Sequence, residues 1–101
     1  MNIVSWNING IRAVHKKGDF LRFIEKHKPD ILCLQETKAR QHQSEVDLPA
    51  YEEYWNSAAR QGYSGTAIFT KQKPLSVALD IPKSIAKKYK LDIDGYGDPN
   101  K

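Results

Sequence analysis

Two stretches of the sequence pass abruptly from apolar to polar side chains. The stretch "IVSWNIN" ends with Asn7 and Asn9, and the stretch "ILCLQETK" ends with Gln35, Glu36 and Lys38. Asparagine is a poor strand former and is costly to bury without a hydrogen-bond partner, so these amides are expected to have a use. Glu36 offers a charged oxygen ligand and Asn7 a neutral one, and magnesium binds such a pair together with water and phosphate oxygens.

The elements around these stretches are predicted to bring the polar side chains together. Residues 2–8 predict a short strand that is buried on both faces, because their apolar side chains do not alternate cleanly. A helix is expected to begin at an N-cap on Asp19 and to end before Pro29, and residues 31–34 predict a second buried strand. Two strands joined by a helix lie parallel, with a right-handed connection. Parallel strands end at one edge of a sheet, where open α/β sheets bind ligands, so the polar residues should meet there.

The middle of the chain predicts antiparallel strands. Residues 37–50 are polar and are expected to form a surface loop or a short helix. Residues 51–58 and 66–71 predict two strands, joined by a glycine-containing turn at residues 60–65. A parallel pair followed by an antiparallel hairpin makes a mixed sheet, so the predicted fold class is α/β.

The last part of the chain is less regular and rich in lysine. The stretch "LSVALD" at residues 75–80 predicts a further strand, and "IPKSIAKKYK" predicts a short basic helix that starts near Pro82. The formal net charge of +4 favours a polyanionic partner. However, the lysines of this helix are equally consistent with a solvated helix face.

The composition sets the broad class of protein. A chain of 101 residues is one domain at most, and 40% hydrophobic with 28% charged residues excludes a disordered chain and a coiled coil. No apolar run approaches the roughly 20 residues of a membrane helix, and no leader precedes the first strand, so we expect a cytoplasmic protein. The single cysteine, Cys33, excludes an internal disulfide and is expected to be a core thiol.

The polar residues at the strand ends also have a purely structural interpretation. Asn7 and Glu36 could cap the strand ends by bonding to loop amides, and Lys38 could be a solvated charge. The three histidines lack the spacing of metal ligands, and the sequence contains no glycine-rich phosphate loop. From position alone, a metal site and a structural cap both remain open.

Three longer stretches carry a family resemblance. They are "IVSWNINGIRA" at residues 3–13, "PDILCLQETK" at residues 29–38 and "GYSGTAIFTK" at residues 62–71. In this order and spacing they resemble the exonuclease III branch of the abasic-site endonucleases, within the endonuclease, exonuclease and phosphatase superfamily. The resemblance covers residues 2–80. It implies the N-terminal half of a four-layer α/β sandwich, in which two mixed sheets are flanked by helices.

The resemblance also implies roles for individual residues. Glu36 matches the metal-ligating glutamate of the family and Asn7 its active-site asparagine, so both are expected to be catalytic and metal-binding. Asn9 stands where some relatives have an aspartate. Lys38 matches the lysine that supports the glutamate. Four residues are expected to contact DNA: Arg12, Lys17, Lys38 and Tyr63. Contacts of this kind to the DNA backbone position a duplex without reading its sequence.

The reaction implied by the resemblance is the hydrolysis of double-stranded DNA in DNA repair, either on the 5′ side of abasic sites or at 3′ ends. The implied cofactor is Mg²⁺, with Mn²⁺ as a substitute. In the family an aspartate orients or deprotonates the attacking water, and a histidine stabilises the charge that develops on the phosphate. The full-length form is expected to be a monomer with no membrane partner.

Part of the family pattern is not found in the 101 residues. The resemblance implies a "GDxN" motif and a late aspartate and histidine, whereas "GDPN" at residues 97–100 comes too early in the chain and lacks a preceding strand. We therefore interpret residues 1–101 as the N-terminal half of a longer domain, inactive alone. The alternatives are a short non-catalytic DNA-binding module and a phosphatase relative, the latter disfavoured by "GYSG" and by "IRA" after "NING".

Overall fold

The computed structural model describes residues 1–74 and 76–77. Within them the order of elements is strand, helix, helix, strand, 3₁₀ helix, strand and strand. Their bounds are β1 Ile3–Asn7, α1 Ile11–Lys16, α2 Asp19–His27, β2 Ile31–Gln35, a 3₁₀ helix Gln41–Gln43, β3 Glu52–Asn56 and β4 Thr66–Thr70.

The described strands form one mixed sheet in the order β1-β2-β4-β3. β1 and β2 are parallel, with Asn7 opposite Gln35, whereas β4 pairs antiparallel with both β2 and β3. The α/β class, the parallel pair and the β3–β4 hairpin are therefore confirmed. Because β1 and β2 run in the same direction, their carboxyl ends lie at the same edge of the sheet.

One face of the sheet packs against α2. This helix carries Phe20 and Phe23 three residues apart, a spacing that places both on one side of a helix. Phe20 is fully buried and lies 5.7 Å from the ring of Phe69 in β4, measured between centroids. Phe23 stacks on Trp6 of β1 at 4.1 Å, and Leu32 of β2 is fully buried in the same core. The strand ends that carry the candidate site are thus anchored on a packed core.

The opposite face of the sheet, which we call the open face, carries Ile3, Ser5, Cys33 and Ile68. The prediction that β1 is buried on both faces is wrong, because Ile3 is 62% exposed, and Ile68 of β4 is 43% exposed. Cys33 is half-buried rather than a core thiol. Successive residues of a strand point to opposite faces, and the buried core of the described residues lies on the helix side only.

Two local predictions need correction. The N-cap of α2 is Gly18, with a left-handed φ of 81°, and Asp19 is instead the first helical residue, where its carboxylate accepts a hydrogen bond from Arg22. Residues 37–50 contain the short 3₁₀ helix but are not wholly at the surface. Thr37 is fully buried, and Ala39 is 4% exposed and belongs to the hydrophobic core.

Several predictions fall beyond the described part of the chain. The strand predicted at residues 75–80 lies outside it except for residues 76–77, and the basic helix from Pro82 and the "GDPN" turn lie outside it entirely. Among the described helices, none is long and apolar enough to cross a membrane.

Candidate functional site

The last residue of β1 and the first residue after β2 contact each other. The side-chain amide of Asn7 donates a hydrogen bond from Nδ2 to Oε2 of Glu36. The parallel register explains this contact, because Asn7 lies opposite Gln35, the residue that precedes Glu36. The structure therefore brings together the two residues that the sequence singled out as metal ligands.

A second pair lies beside the first. Nζ of Lys38 donates a hydrogen bond to Oδ1 of Asn9 at 2.5 Å, and the backbone N–H of Asn9 donates to Oδ1 of Asn7 at 3.2 Å. Lys38 thus contacts Asn9 in the structure, and hydrogen bonds through Asn9 and Asn7 connect it to Glu36. Asn9 takes part directly, although the sequence assigned it no firm role. The side-chain amide of Asn9 is used to accept the hydrogen bond from Lys38.

The backbone at this edge adopts an uncommon conformation. Among the described residues, the non-glycine residues with positive φ are Asn9, Lys28, Glu36, Lys38 and Ser64, and all of these except Lys28 lie at the candidate site. Positive φ at non-glycine residues costs free energy, on the order of 1 kcal/mol or more for each residue. Such strain persists only where surrounding contacts hold it, and it clusters at functional sites.

Two backbone hydrogen bonds and one from a side chain hold the segment 36–38, which carries this strain, from the side of α1. The N–H of Gly10 donates to the carbonyl of Glu36 at 2.8 Å, and the N–H of Ile11 donates to the carbonyl of Thr37 at 3.0 Å. Nη2 of Arg12 donates to the carbonyl of Lys38 at 3.1 Å. Hydrogen bonds to the three successive carbonyls of residues 36–38 therefore connect the start of α1 to the segment after β2.

The same segment is also held from the side of the β3–β4 connection, residues 57–65. The N–H of Thr37 donates to the carbonyl of Gly65 at 3.1 Å, and the N–H of Lys38 donates to the carbonyl of Ser64 at 2.7 Å. Segment 36–38 is thus clamped between two loops. This clamp accounts for the strained backbone of Glu36 and Lys38.

The residues expected to contact DNA are placed differently from one another. Arg12 is exposed and lies at the site through its bond to Lys38. Tyr63 is 43% exposed and adjoins Ser64, and the guanidinium of Arg60 lies 3.8 Å from the centre of its ring. Lys17 is exposed just after α1 and, in the described part of the chain, shows no side-chain bond to the segment 36–38.

Some participants were not identified from the sequence. Arg60 has a signal in hindsight, because a cation three residues before an exposed aromatic residue in a turn can stack on it. Thr37 and Gly65 have no such signal, since their importance depends on the tertiary contact between two loops. The sequence showed which strand ends meet, but not what holds them.

The residues present fit a hard cation better than a soft one. No cluster of three or more histidine, cysteine, aspartate or glutamate side chains that could hold a metal ion occurs within residues 1–74 and 76–77. Glu36 and Asn7 supply carboxylate and amide oxygens next to each other. Magnesium is commonly held by one or two carboxylates and keeps several waters, so this short donor set suits it.

The sequence profile of the Endonuclease/Exonuclease/phosphatase family matches residues 4–99. An exodeoxyribonuclease of Bacillus subtilis is 49% identical over 81 residues, which is 80% of this chain and 32% of that protein. A DNA-(apurinic or apyrimidinic site) endonuclease of Dictyostelium discoideum is 41% identical over 83 residues, which is 80% of this chain and 23% of that protein. The chain thus spans a third or less of the length of these curated relatives.

Solved structures show the same similarity. The AP endonuclease LMAP from Leishmania major superposes with a TM-score of 0.59 at 35% identity, covering 68% of this chain and 23% of that one. A 3′ phosphatase from Neisseria, solved with a product DNA hairpin, superposes with a TM-score of 0.62 at 27% identity, covering 82% of this chain and 32% of that one.

Proposed function

The chain belongs to the endonuclease/exonuclease/phosphatase family, and from this premise we propose that it provides the metal-binding part of a magnesium-dependent nuclease acting on DNA. The observation that carries the proposal is the contact between Asn7 and Glu36 at the ends of two parallel strands. Relatives named exodeoxyribonuclease and DNA-(apurinic or apyrimidinic site) endonuclease support it. Residues 1–101 would form part of a single catalytic domain.

Asn7 and Glu36 are proposed to hold the metal ion through their oxygens. A bound magnesium or manganese ion would polarise the scissile phosphate and offset the charge that develops on it. The amide of Asn7 orients the Glu36 carboxylate through its hydrogen bond, and Asn9 orients Asn7 in turn. The ammonium of Lys38, held by Asn9, adds positive charge beside the site and would attract the phosphate backbone.

The proposed substrate is double-stranded DNA, cleaved on the 5′ side of abasic sites or at 3′ ends. Arg12, Lys17 and Lys38 would contact backbone phosphates, and Tyr63 would pack against the DNA. The printed names of the similar structures include both an AP endonuclease and a 3′ phosphatase, so both substrate classes belong in the test. Contacts to phosphates would position the duplex and leave sequence unread.

We propose that residues 1–101 do not hydrolyse DNA unaided. The aspartate and histidine that the family resemblance implies for water activation and charge stabilisation are not recognisable in this sequence. A site with the metal ligands but without those groups would still bind the ion. Metal binding and DNA cleavage are therefore separable properties of this chain.

The experiment compares Glu36→Gln with Glu25→Gln in the full-length product of the gene that encodes this chain, because residues 1–101 alone are proposed not to cleave DNA. Glu25 is an exposed residue of α2, so its variant makes the same change of charge outside the site. The substrate is a labelled duplex that contains one abasic site. Glu36→Gln should lower its cleavage in magnesium on the order of 100-fold or more, because the loss of a metal ligand reduces activity more than the loss of a residue that supports a ligand. Glu25→Gln should cleave as the parent does, and EDTA should stop both.

Unchanged turnover in Glu36→Gln would remove Glu36 from the site. DNA binding that weakens steeply with salt, without cleavage by the gene product, would instead establish a non-catalytic DNA-binding module. Magnesium-dependent, EDTA-sensitive nicking by a monodisperse 101-residue chain would contradict the proposal that these residues are inactive alone.

A further inference from the structure

The β3–β4 connection touches segment 36–38 through a glycine. Gly65 has a φ of 89°, and a Cβ atom on residue 65 would lie 2.7 Å from Oγ1 of Thr37. Cβ atoms essentially never approach another heavy atom so closely, so Thr37 occupies its place only because residue 65 has no side chain. Thr37 is fully buried, and within the described part of the chain its Oγ1 has no hydrogen-bond partner.

A second glycine in the same connection makes no such contact. Gly62 has a φ of 81°, close to that of Gly65, but a Cβ atom there would meet nothing within 4 Å. A side chain at either position would strain the backbone to a similar degree. The difference between the two positions is the contact with Thr37.

The contact between Gly65 and Thr37 lies among the hydrogen bonds that hold the candidate metal ligand. The N–H of Thr37 donates to the carbonyl of Gly65, and the N–H of Lys38 donates to the carbonyl of Ser64. Glu36 and Lys38, on either side of Thr37, have φ of 52° and 53°. Moving Thr37 away would lengthen both hydrogen bonds and release both residues to more favourable backbone angles.

We propose that Gly65 is a positioning residue that acts through Thr37: by letting Thr37 pack against the β3–β4 connection, it fixes where Glu36 and Lys38 point. The inference rests on the proposed function in that Glu36 is taken as a metal ligand. Tyr63 lies two residues before Gly65, so the same contact sets the separation between the residue proposed to touch DNA and the residue proposed to hold the metal ion.

The test measures Mn²⁺ affinity of the 101-residue chain by electron paramagnetic resonance of the free ion. Gly65→Ala should weaken Mn²⁺ binding about tenfold or more, as is typical when a partner that orients a ligand is displaced. Gly62→Ala, the matched control, should bind within about twofold of the parent, and it should lose less stability in urea than Gly65→Ala because it has the backbone strain without the contact to Thr37. Equal affinities in the two variants would overturn the inference.

A double variant separates the contact from the backbone strain. Thr37→Ala removes Oγ1 but keeps the backbone hydrogen bond to Gly65, so it should retain most of the Mn²⁺ affinity. If the contact matters, the double variant Thr37→Ala with Gly65→Ala should bind Mn²⁺ with the affinity of Thr37→Ala. The effects of the two substitutions on Mn²⁺ affinity would then be non-additive. This double variant also carries the test if Gly65→Ala fails to fold. A double variant that stays unfolded or binds as weakly as Gly65→Ala would contradict the inference.

A readout without metal distinguishes failure of this inference from failure of the proposed function. Three-bond HN–Hα couplings and amide exchange report the φ of Glu36 and Lys38 and the protection of the Thr37 and Lys38 N–H groups. Gly65→Ala should change both measurements and Gly62→Ala neither. If the parent chain binds no Mn²⁺ but Gly65→Ala shows these changes, the metal site is refuted and the positioning contact is kept. If the couplings in Gly65→Ala are unchanged, the contact is refuted.

Discussion

Each asparagine at the end of β1 has a partner across the β1–β2 pair. Asn7 bonds to Glu36, and Asn9 bonds to Lys38. An amide suits both places, because it donates to a carboxylate in one and accepts from an ammonium in the other. Asparagine also tolerates the positive φ of 48° found at Asn9 better than most residues do. The local chemistry therefore accounts for an asparagine at the end of β1 and for another two residues after it.

Of the two residue pairs at the site, one could be predicted from the sequence and the other could not. The meeting of Asn7 and Glu36 followed from the parallel strands, since strand ends in one sheet share an edge. The bond between Lys38 and Asn9 did not follow, because it depends on positive φ at both residues. Such angles are set by tertiary hydrogen bonds and are not visible in the pattern of residue types.

Replacing Asn9 by aspartate tests the electrostatics of the site. The carboxylate would keep the bond to Lys38 and add a negative charge next to Asn7. We expect Asn9→Asp to bind Mn²⁺ several-fold more tightly than the parent, because hard cations are bound more strongly as the number of charged ligands rises. Isothermal titration calorimetry at two salt concentrations measures this change, and weaker or unchanged affinity would speak against a cation beside Asn9.

At the scale of elements, the helix and strand predictions succeeded where side-chain periodicity decides the structure. Phe20 and Phe23 placed α2 against the sheet, and the apolar run of residues 31–34 identified β2 as a strand, although it is buried on its helix side only. The N-cap assignment to Asp19 failed because the chain enters α2 through a left-handed Gly18, and no side-chain bond caps the helix. Residues 37–50 were misjudged because a polar composition hid the two buried residues Thr37 and Ala39.

A tyrosine next to β3 ties that strand to the start of β2. The hydroxyl of Tyr51 donates to the carbonyl of Pro29, a buried residue, so Tyr51→Phe leaves this carbonyl unsatisfied. We expect a loss of about 1 kcal/mol in the free energy of unfolding, measured in urea at pH 7. Tyr54→Phe is the control, because within the described residues Tyr54 donates to the side chain of Glu52, two residues away, and this variant should lose less. An equal loss in both variants would contradict this assignment.

The same tyrosine predicts how stability changes at high pH. Burial, and to a lesser degree the charge of Asp30, raises the pKa of Tyr51 above its ordinary value of 10.0. The unfolded chain therefore loses this proton first, so the contribution of Tyr51 is complete below pH 10 and is lost as the pH rises through the raised pKa. The difference in stability between the parent and Tyr51→Phe should shrink over that range.

At the scale of the whole molecule, the main departure from the sequence prediction is the open face. Clean alternation was absent from β1, which suggested cover on both sides, but Ile3 and Ile68 remain exposed. A sequence pattern predicts which apolar side chains favour burial, but it does not predict which segment of the protein packs over them. The chain spans 32% of the Bacillus subtilis relative, so one covered face is all that its described residues provide.

An exposed apolar sheet face is expected to promote self-association of the isolated chain. Sedimentation velocity of the 101-residue chain should show dimers or larger species whose share rises with concentration. Ile68→Lys should shift the population to monomer. Leu21→Lys is the matched control, because Leu21 lies on α2 and is 44% exposed against 43% for Ile68, and it should leave association unchanged. A monomer at every concentration would contradict the expectation.

The central claim is that Asn7 and Glu36 hold a divalent cation at the ends of β1 and β2. Nuclear magnetic resonance of the 101-residue chain during a Mn²⁺ titration tests it most directly, because paramagnetic broadening falls steeply with distance from the ion. The account predicts early broadening of the Asn7 side-chain amide and of the Glu36 backbone amide, reversed by excess Mg²⁺ and abolished in Glu36→Gln. Broadening centred elsewhere, such as on Glu52 and Glu53, or persisting in Glu36→Gln, would contradict the claim.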